Sequence, residues 1–431
     1  KQRRCPNLIV TLCIVFSILC TFFAGISIFL WIRLTSVSYE EAPPSNEGSQ
    51  QQAAQKYPFF PNSNKEEDRM KKMVSGINAA NLSWKAKFNA YASLKGSNYT
   101  SQGWEKTDSL MLPGQTFEES LDLQAFGDTK EHLTKLARVT ITLPESFDAR
   151  DKWPRCASIH HIPNQGGCGS CWAASAVSVM SDRLCIASNG KEQPMISLQD
   201  LVSCCGYCGS CEGGNIPILS YHYWKNHGIP TGGSFGSNEG CRPYEIESTC
   251  GTPCPLHFYT ADFSPQCNRT CNAIYGKSYD TDLKKGKSFY WIKSSEWYSH
   301  MNLSYHEIMK LTSDLSISSN DLIKREIISN GPVSFCTYVA EPFVHYSSGI
   351  YDSSQFELEG HGKKIIFPGI VISSENLSYG HCMRMIGWGK ENGREFWTVG
   401  NSWGREWGEN GFGKISFNYR PDDLSVYAGL Y

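Results

Sequence analysis

The chain has 431 residues, 40% hydrophobic and 19% charged, a globular rather than disordered composition with room for two or three domains. Forty Lys and Arg against 42 Asp and Glu leave a net charge of −2, which excludes a dedicated binder of nucleic acid or another polyanion. Eighteen cysteines point to an exported chain that stores them as disulfides, since a cytosolic chain seldom carries so many unless it binds metal. In chain order, Lys1-Gln2-Arg3-Arg4 precede an apolar run, Leu8 to Ile32, without a charged residue. The run exceeds the about 7–15 apolar residues of a cleaved signal and reaches the about 20 that span a bilayer. Residues 1–34 therefore read as a signal-anchor, held in the membrane through residues 8–32 with the remainder outside the cytoplasm, or as a cleaved signal peptide. A buried core helix is the bland alternative, and it lacks a polar face.

Residues 35–64 are polar, with Pro43-Pro44 and Gln50-Gln51-Gln52, and read as a stalk. Segment 65–142 follows. From Lys65 to Leu94, Met70, Met73, Val74, Ile77, Leu82, Trp84, Phe88 and Tyr91 recur at spacings near three and four, predicting helix. No cysteine lies between Cys20 and Cys156, and fifteen of the eighteen lie from Cys156 to Cys382. That switch marks a boundary just before Leu143-Pro144-Glu145-Ser146-Phe147-Asp148-Ala149-Arg150, with residues 143–431 as the main domain. Its first part reads as helical and loop-rich. From about Gly331, runs such as Val333–Val339 and Phe396–Val399 read as strands. Asn-x-Ser/Thr acceptors at Asn81, Asn98, Asn268, Asn302 and Asn376 suit a glycosylated exported protein.

The densest chemical signal is Gln165-Gly166-Gly167-Cys168-Gly169-Ser170-Cys171-Trp172. Val177, Met180 and Leu184 keep a helical spacing behind it, so Cys171 falls at or near a helix N-terminus. Unpaired N–H groups and the helix dipole there favour thiolate. A nucleophilic Cys needs a base, and His381 in Gly380-His381-Cys382-Met383-Arg384 is the candidate. Asn401, in Asn401-Ser402-Trp403-Gly404, can orient that imidazole.

Cys-Gly-Ser-Cys-Trp with His and Asn far downstream resembles the papain-type cysteine peptidases. Leu143–Arg150, Cys204-Cys205-Gly206, Gly240-Cys241-Arg242-Pro243-Tyr244 and the His381 segment resemble the cathepsin B-like branch, over roughly residues 70–431. The resemblance implies an α+β fold of two lobes, a helical left lobe and a β-barrel-like right lobe, preceded by a propeptide at 65–142. It implies a cysteine endopeptidase made as a zymogen, with protein or peptide substrates, its own propeptide as inhibitor, cystatin-type inhibitors as partners, no cofactor, and a lysosomal, secreted or membrane-anchored location. Cys171 would be the nucleophile, His381 the proton carrier and Asn401 its orienter. Trp403 would shield the His381–Asn401 bond, Gln165 and the Cys171 N–H would form the oxyanion hole, and Gly213-Gly214 would pair with the substrate backbone. A catalytically silent relative used for binding or as matrix is the alternative. A thioredoxin-like role for Cys168 and Cys171 would leave Gln165, His381 and Asn401 unexplained.

Cys204, Cys205, Cys208 and Cys211 could pass for a metal knot, but an exported chain favours disulfides. The resemblance implies the pairs Cys156–Cys185, Cys168–Cys211, Cys204–Cys267, Cys205–Cys208, Cys241–Cys271 and Cys250–Cys254. It leaves Cys336 and Cys382 without partners, and Cys382 reads as a buried, inert thiol. His160, His161, His345 and His361 read as structural. The 65–142 segment is expected to lie along the cleft until cleavage near Leu143. Ser425 falls where some relatives carry an acidic residue, implying an apolar preference at the second residue before the scissile bond. The stretch that would hold a paired histidine for C-terminal dipeptide release offers only His257, so endopeptidase action should dominate. An insertion between Tyr351 and His381 carries Asn376 and should form a surface excursion, partly packed through Ile365-Ile366-Phe367.

Overall fold

The computed structural model describes residues 64–89, 115–214, 218–247, 265–293, 304–355, 357–359, 364–367, 370–373, 378–419 and 424–431. The apolar run 8–32, Asn98, Cys250, Cys254, His257, Asn302, His361 and Asn376 lie outside them. Among the described residues, no helix is long and apolar enough to cross a membrane.

Helix α1 (Asn64–Ala79) turns Met70, Met73 and Ile77 to one face and buries all three. The helix ends there instead of continuing to Leu94. Asn81 takes a left-handed conformation, φ 52°, and the chain re-enters as strand β1 (Trp84–Ala86). Trp84 and Ala86 face inward and Lys85 outward; the four-residue step from Trp84 to Phe88 fits a period of two as well as a helical turn.

Helix α2 (Gln115–Arg138) comes next, then strand β2 (Phe147–Asp148). Helix α3 (Cys171–Ala187) is buried along almost its whole length, and Ala173, Ala174, Ala176 and Ser178 keep its girth small enough for that. Helices α4 (Leu198–Cys204) and α5 (Leu219–Asn226) flank the short strands β3 (Gly209–Ser210) and β4 (Gly213–Gly214). Ser197 caps α4 by accepting from the Asp200 N–H.

Strand β5 (Ser288–Lys293) precedes helices α6 (Ser304–Asp314) and α7 (Ser319–Asn330). The remaining strands are β6 (Val333–Ala340), β7 (Tyr346–Tyr351), β8 (Glu357–Glu359), β9 (Lys364–Phe367), β10 (Ile370–Ser373), β11 (Ser378–Glu391), β12 (Arg394–Gly400), β13 (Phe412–Ser416) and β14 (Ser425–Leu430).

The main sheet runs β1-β7-β13-β12-β11-β6-β14-β5, with β2 paired to β11. Both its faces are buried. Phe289, Trp291, Cys336, Cys382 and Tyr427 join the apolar cluster around α3 and α5. Their neighbours Tyr290, Ile292, Phe335, Met383 and Val426 join a second cluster that includes α1 and α7. Successive residues of one strand thus feed two cores. The result is a helical lobe and a sheet lobe, an α+β arrangement. Between Tyr351 and His381, β8, β9 and β10 form a separate antiparallel sheet, with Ile365 opposite both Leu358 and Ile372.

Strand β5 is an edge, and helix α2 covers it. Asp128 and Thr129 accept the N–H groups of Phe289 and Trp291, at 3.1 and 3.0 Å. His132 stacks on Tyr290 with ring centroids 3.7 Å apart and bonds Glu326 at 2.6 Å. The other Glu326 oxygen takes bonds from Arg183 and the Tyr290 hydroxyl, both at 2.7 Å. This half of the 65–142 segment therefore protects a sheet edge that would otherwise offer unpaired amides.

Disulfides join Cys156 to Cys185, Cys168 to Cys211, Cys204 to Cys267, Cys205 to Cys208 and Cys241 to Cys271. Cys382 is not a free thiol: it is bridged to Cys336. The two stand directly opposite each other on β11 and β6, a pairing that becomes visible only with the strand register. Asn81 and Asn268 are exposed.

Candidate active site

Cys171 is the first residue of α3 and the free cysteine among the described residues. Its sulfur accepts the Cys382 N–H at 3.2 Å, and its own amide and that of Trp172 also act on it. The site is closed to solvent, and burial pushes the thiol up to about 12, against the pull of those three N–H groups. In this closed arrangement the uncharged thiol is favoured.

His381 lies on β11, wholly buried. Its Nε2 is 2.8 Å from the Asn401 side-chain oxygen. That oxygen can only accept, so Nε2 carries the proton and Nδ1 is the nitrogen on the opposite side of the ring. The Ser402 N–H donates to the same oxygen at 2.7 Å, fixing the amide's orientation. The Trp403 ring stacks on the imidazole at 4.5 Å between centroids and is itself fully buried.

Gln165 is anchored at both ends. Its backbone N–H donates to the Ser402 carbonyl at 2.9 Å, and its side-chain oxygen accepts from the Ser402 hydroxyl at 2.7 Å. Its Nε2 donates one proton to the Cys168 carbonyl at 2.9 Å, and a primary amide carries a second. The one sequence signal for Ser402 is its position between Asn401 and Trp403.

Two further contacts hold the helix of Cys171 against the strand of His381. The Ser175 hydroxyl donates to the Met383 carbonyl at 2.6 Å, and Arg384 pairs with Asp182 at 2.8 Å, both side chains buried. Arg384 also donates to the carbonyls of Ser158, Ile159 and His161. A buried ion pair needs such extra bonds to offset desolvation. An Arg inside the apolar run Met383–Ile386 was the sequence signal for it.

Gly213 and Gly214 pair with Ser210 and Gly209. A Cβ at Gly214 would lie 2.5 Å from the Trp172 ring, so this glycine is required by the tryptophan that follows Cys171. The Cys168–Cys211 bridge and a 2.7 Å bond from the Gly169 N–H to the Cys211 carbonyl tie that hairpin to the nucleophile loop. Among the other histidines, His161 is half-buried and its pKa is lowered to about 4, first by desolvation and then by Arg384 and Arg405. Among the described residues, no cluster of three or more His, Cys, Asp or Glu side chains could hold a metal ion.

A helix-borne cysteine, a strand-borne histidine held by an asparagine and a buried glutamine beside them form one constellation, and it falls within residues 143–424, which match the papain family cysteine proteases. The chain belongs to that family. It is 36% identical over 295 residues to cathepsin B-like cysteine proteinase 6 of Caenorhabditis elegans, a match covering 66% of this chain and 65% of that protein. It is 39% identical over 280 residues to cathepsin B-like cysteine proteinase 1 of Ostertagia ostertagi, covering 63% and 67% respectively. Among solved structures, procathepsin B S9 from Trypanosoma congolense superposes with a TM-score of 0.54 at 26% identity, over 84% of this chain and 97% of that one.

Proposed function

We propose that this chain is a cathepsin B-like cysteine endopeptidase made as a zymogen, with residues 65–142 as its propeptide and residues 143–431 as its catalytic domain. The observation that carries the reading is the bond from the His381–Cys382 peptide to the Cys171 sulfur, on a strand whose imidazole is fixed by Asn401. Once the site opens to water, the burial that raises the thiol is removed and the three N–H groups pull it down. Cys171 then passes its proton to His381 Nδ1 and attacks the peptide carbonyl carbon. The new C–S bond gives a tetrahedral oxyanion, which the Cys171 N–H and the second Gln165 amide proton stabilise. Its collapse breaks the C–N bond, the amine leaves with the His381 proton, and a thioester remains. Water activated by His381 hydrolyses the thioester. The Trp403 ring keeps solvent from the His381–Asn401 bond, and the Gly213–Gly214 backbone receives the substrate chain.

The bridges described above suit an oxidising compartment, hence the secretory pathway, with lysosomal, secreted and membrane-anchored fates as the readings. Substrates are proteins or peptides, and cystatin-type inhibitors are partners by family likeness. Endopeptidase action predominates, with His257 the single imidazole available for C-terminal dipeptide release. Reacting the processed protein with an epoxide probe, beside Cys171→Ala, tests the reading. Labelling should appear in the wild type alone, and an unlabelled Cys171 would sink it.

A further inference from the structure

The bridge between Cys336 and Cys382 joins directly opposed residues of β6 and β11, both fully buried, one position beyond His381. Its Cys382 end carries the N–H that reaches the Cys171 sulfur at 3.2 Å. Its Cys336 end lies opposite Ser425 of β14 and 2.9 Å from the Tyr427 hydroxyl, inside the sheet. Strand β11 begins at Ser378, three residues before His381, and the stretch leading into it contains β8–β10, which among the described residues pair with one another as a separate sheet. A further irregularity in the β11–β12 register falls between Met385 and Gly387. The strand segment that carries the proton-transferring imidazole thus lies between a separate small sheet on one side and a register shift on the other.

We propose that the Cys336–Cys382 bridge is a positioning device: it locks the His381–Cys382 peptide to the centre of the sheet, at the distance from which its N–H bonds the Cys171 sulfur. This rests on the reading of Cys171 as nucleophile. The Ser175–Met383 and Asp182–Arg384 contacts hold β11 against α3 on the far side of His381 from its entry. The bridge supplies the covalent tie immediately beside His381, nearer the strand's entry than either of those contacts. A misplacement of the order of 1 Å at such a site costs up to about a hundredfold in rate. No redox step is involved: both sulfurs are sealed from solvent, and the bridge stays closed throughout turnover.

The test compares processed wild type with Cys336→Ala/Cys382→Ala and with Cys336→Val/Cys382→Ala, which keeps the volume but not the link. Both variants should lower kcat about tenfold or more with KM little changed, and should move the pH midpoint of Cys171 alkylation by iodoacetamide upward, with one reactive thiol per chain retained. If kcat and the alkylation profile superimpose on wild type while only the melting temperature falls, the bridge is merely structural and the proposal is overturned. Restoration by the Val/Ala pair would equally overturn it, in favour of packing. Should neither variant fold, non-reducing peptide mapping of the wild type decides: absence of a linked 336–382 peptide sinks the proposal. A wild type whose Cys171 does not alkylate at all would instead bring down the nucleophile reading.

Discussion

His345 is a residue whose chemistry the sequence concealed. It receives the segment 87–89: its Nδ1 accepts the Asn89 N–H at 3.2 Å, its carbonyl accepts from Lys87, and its ring stacks with Phe88. Because Nδ1 accepts, the neutral ring must carry its proton on Nε2. Burial, with Arg69 nearby, lowers its pKa to about 3 from an ordinary 6.5. Arg69 is held by Glu341, and Lys71 lies over Phe88. The docked state therefore favours the neutral ring. Its contribution is whole above pH 6.5 and drains away as pH falls toward 3. His345→Gln keeps an acceptor but does not titrate, so processing should slow at acidic pH and stay unchanged near neutrality. Identical pH–rate curves would discard this switch. Gln165→Ala should lower kcat about 10²–10³-fold, by loss of one oxyanion donor. Ser402→Ala, which only frees the Gln165 amide to turn, should cost less, and steady-state kinetics will rank the two.

At the scale of elements, α2 is the departure that matters. Leu133 and Thr129 are fully buried. Leu133→Ala should cost about 2–5 kcal/mol. Thr129→Val should cost about 1–3 kcal/mol, because the Trp291 N–H loses its acceptor. Denaturant melts of the uncut chain measure both, and losses below about 0.5 kcal/mol would mean that α2 is not part of the folded unit. Helix α3 and strands β6 and β12 were legible in the sequence, because spacing and composition agree there. The candidate site of Cys171, His381 and Asn401 was also legible in the sequence, because each residue sits in a dense local motif. Strand β1 and edge strand β5 were not, since three or six residues leave little periodicity. The Cys336–Cys382 bridge, the Asp182–Arg384 pair and the His345–Asn89 bond join residues far apart in the chain, and only sheet register or packing brings them together.

Across the whole molecule, the described residues before Leu143 occupy both ends of the main sheet: β1 extends it beyond β7, and α2 caps β5. The two anchorages respond oppositely to acid. Around β1, His345 resists protonation. Around α2, burial of Glu326 is outweighed by His132 and Arg183, which hold its carboxyl well below the usual carboxylate range, so the His132–Glu326 pair persists as pH falls. Acid processing should therefore shed the 64–89 piece and leave the 115–138 helix attached. Size-exclusion chromatography at pH 5 with peptide mass fingerprinting of the catalytic peak reads this directly. A peak free of α2 peptides would refute it.

The pairing of Trp84 with Gly349 has a consequence for the lifetime of the processed enzyme. In the intact chain, closure of the β7 end of the sheet is intramolecular, although it spans 265 of the 431 residues. After cleavage that strand is a diffusing peptide, or gone. A processed molecule that opens must rebuild its sheet without its terminal strand, and exposed sheet edges invite aggregation first. Its persistence is then governed by how slowly it opens, a kinetic rather than an equilibrium property.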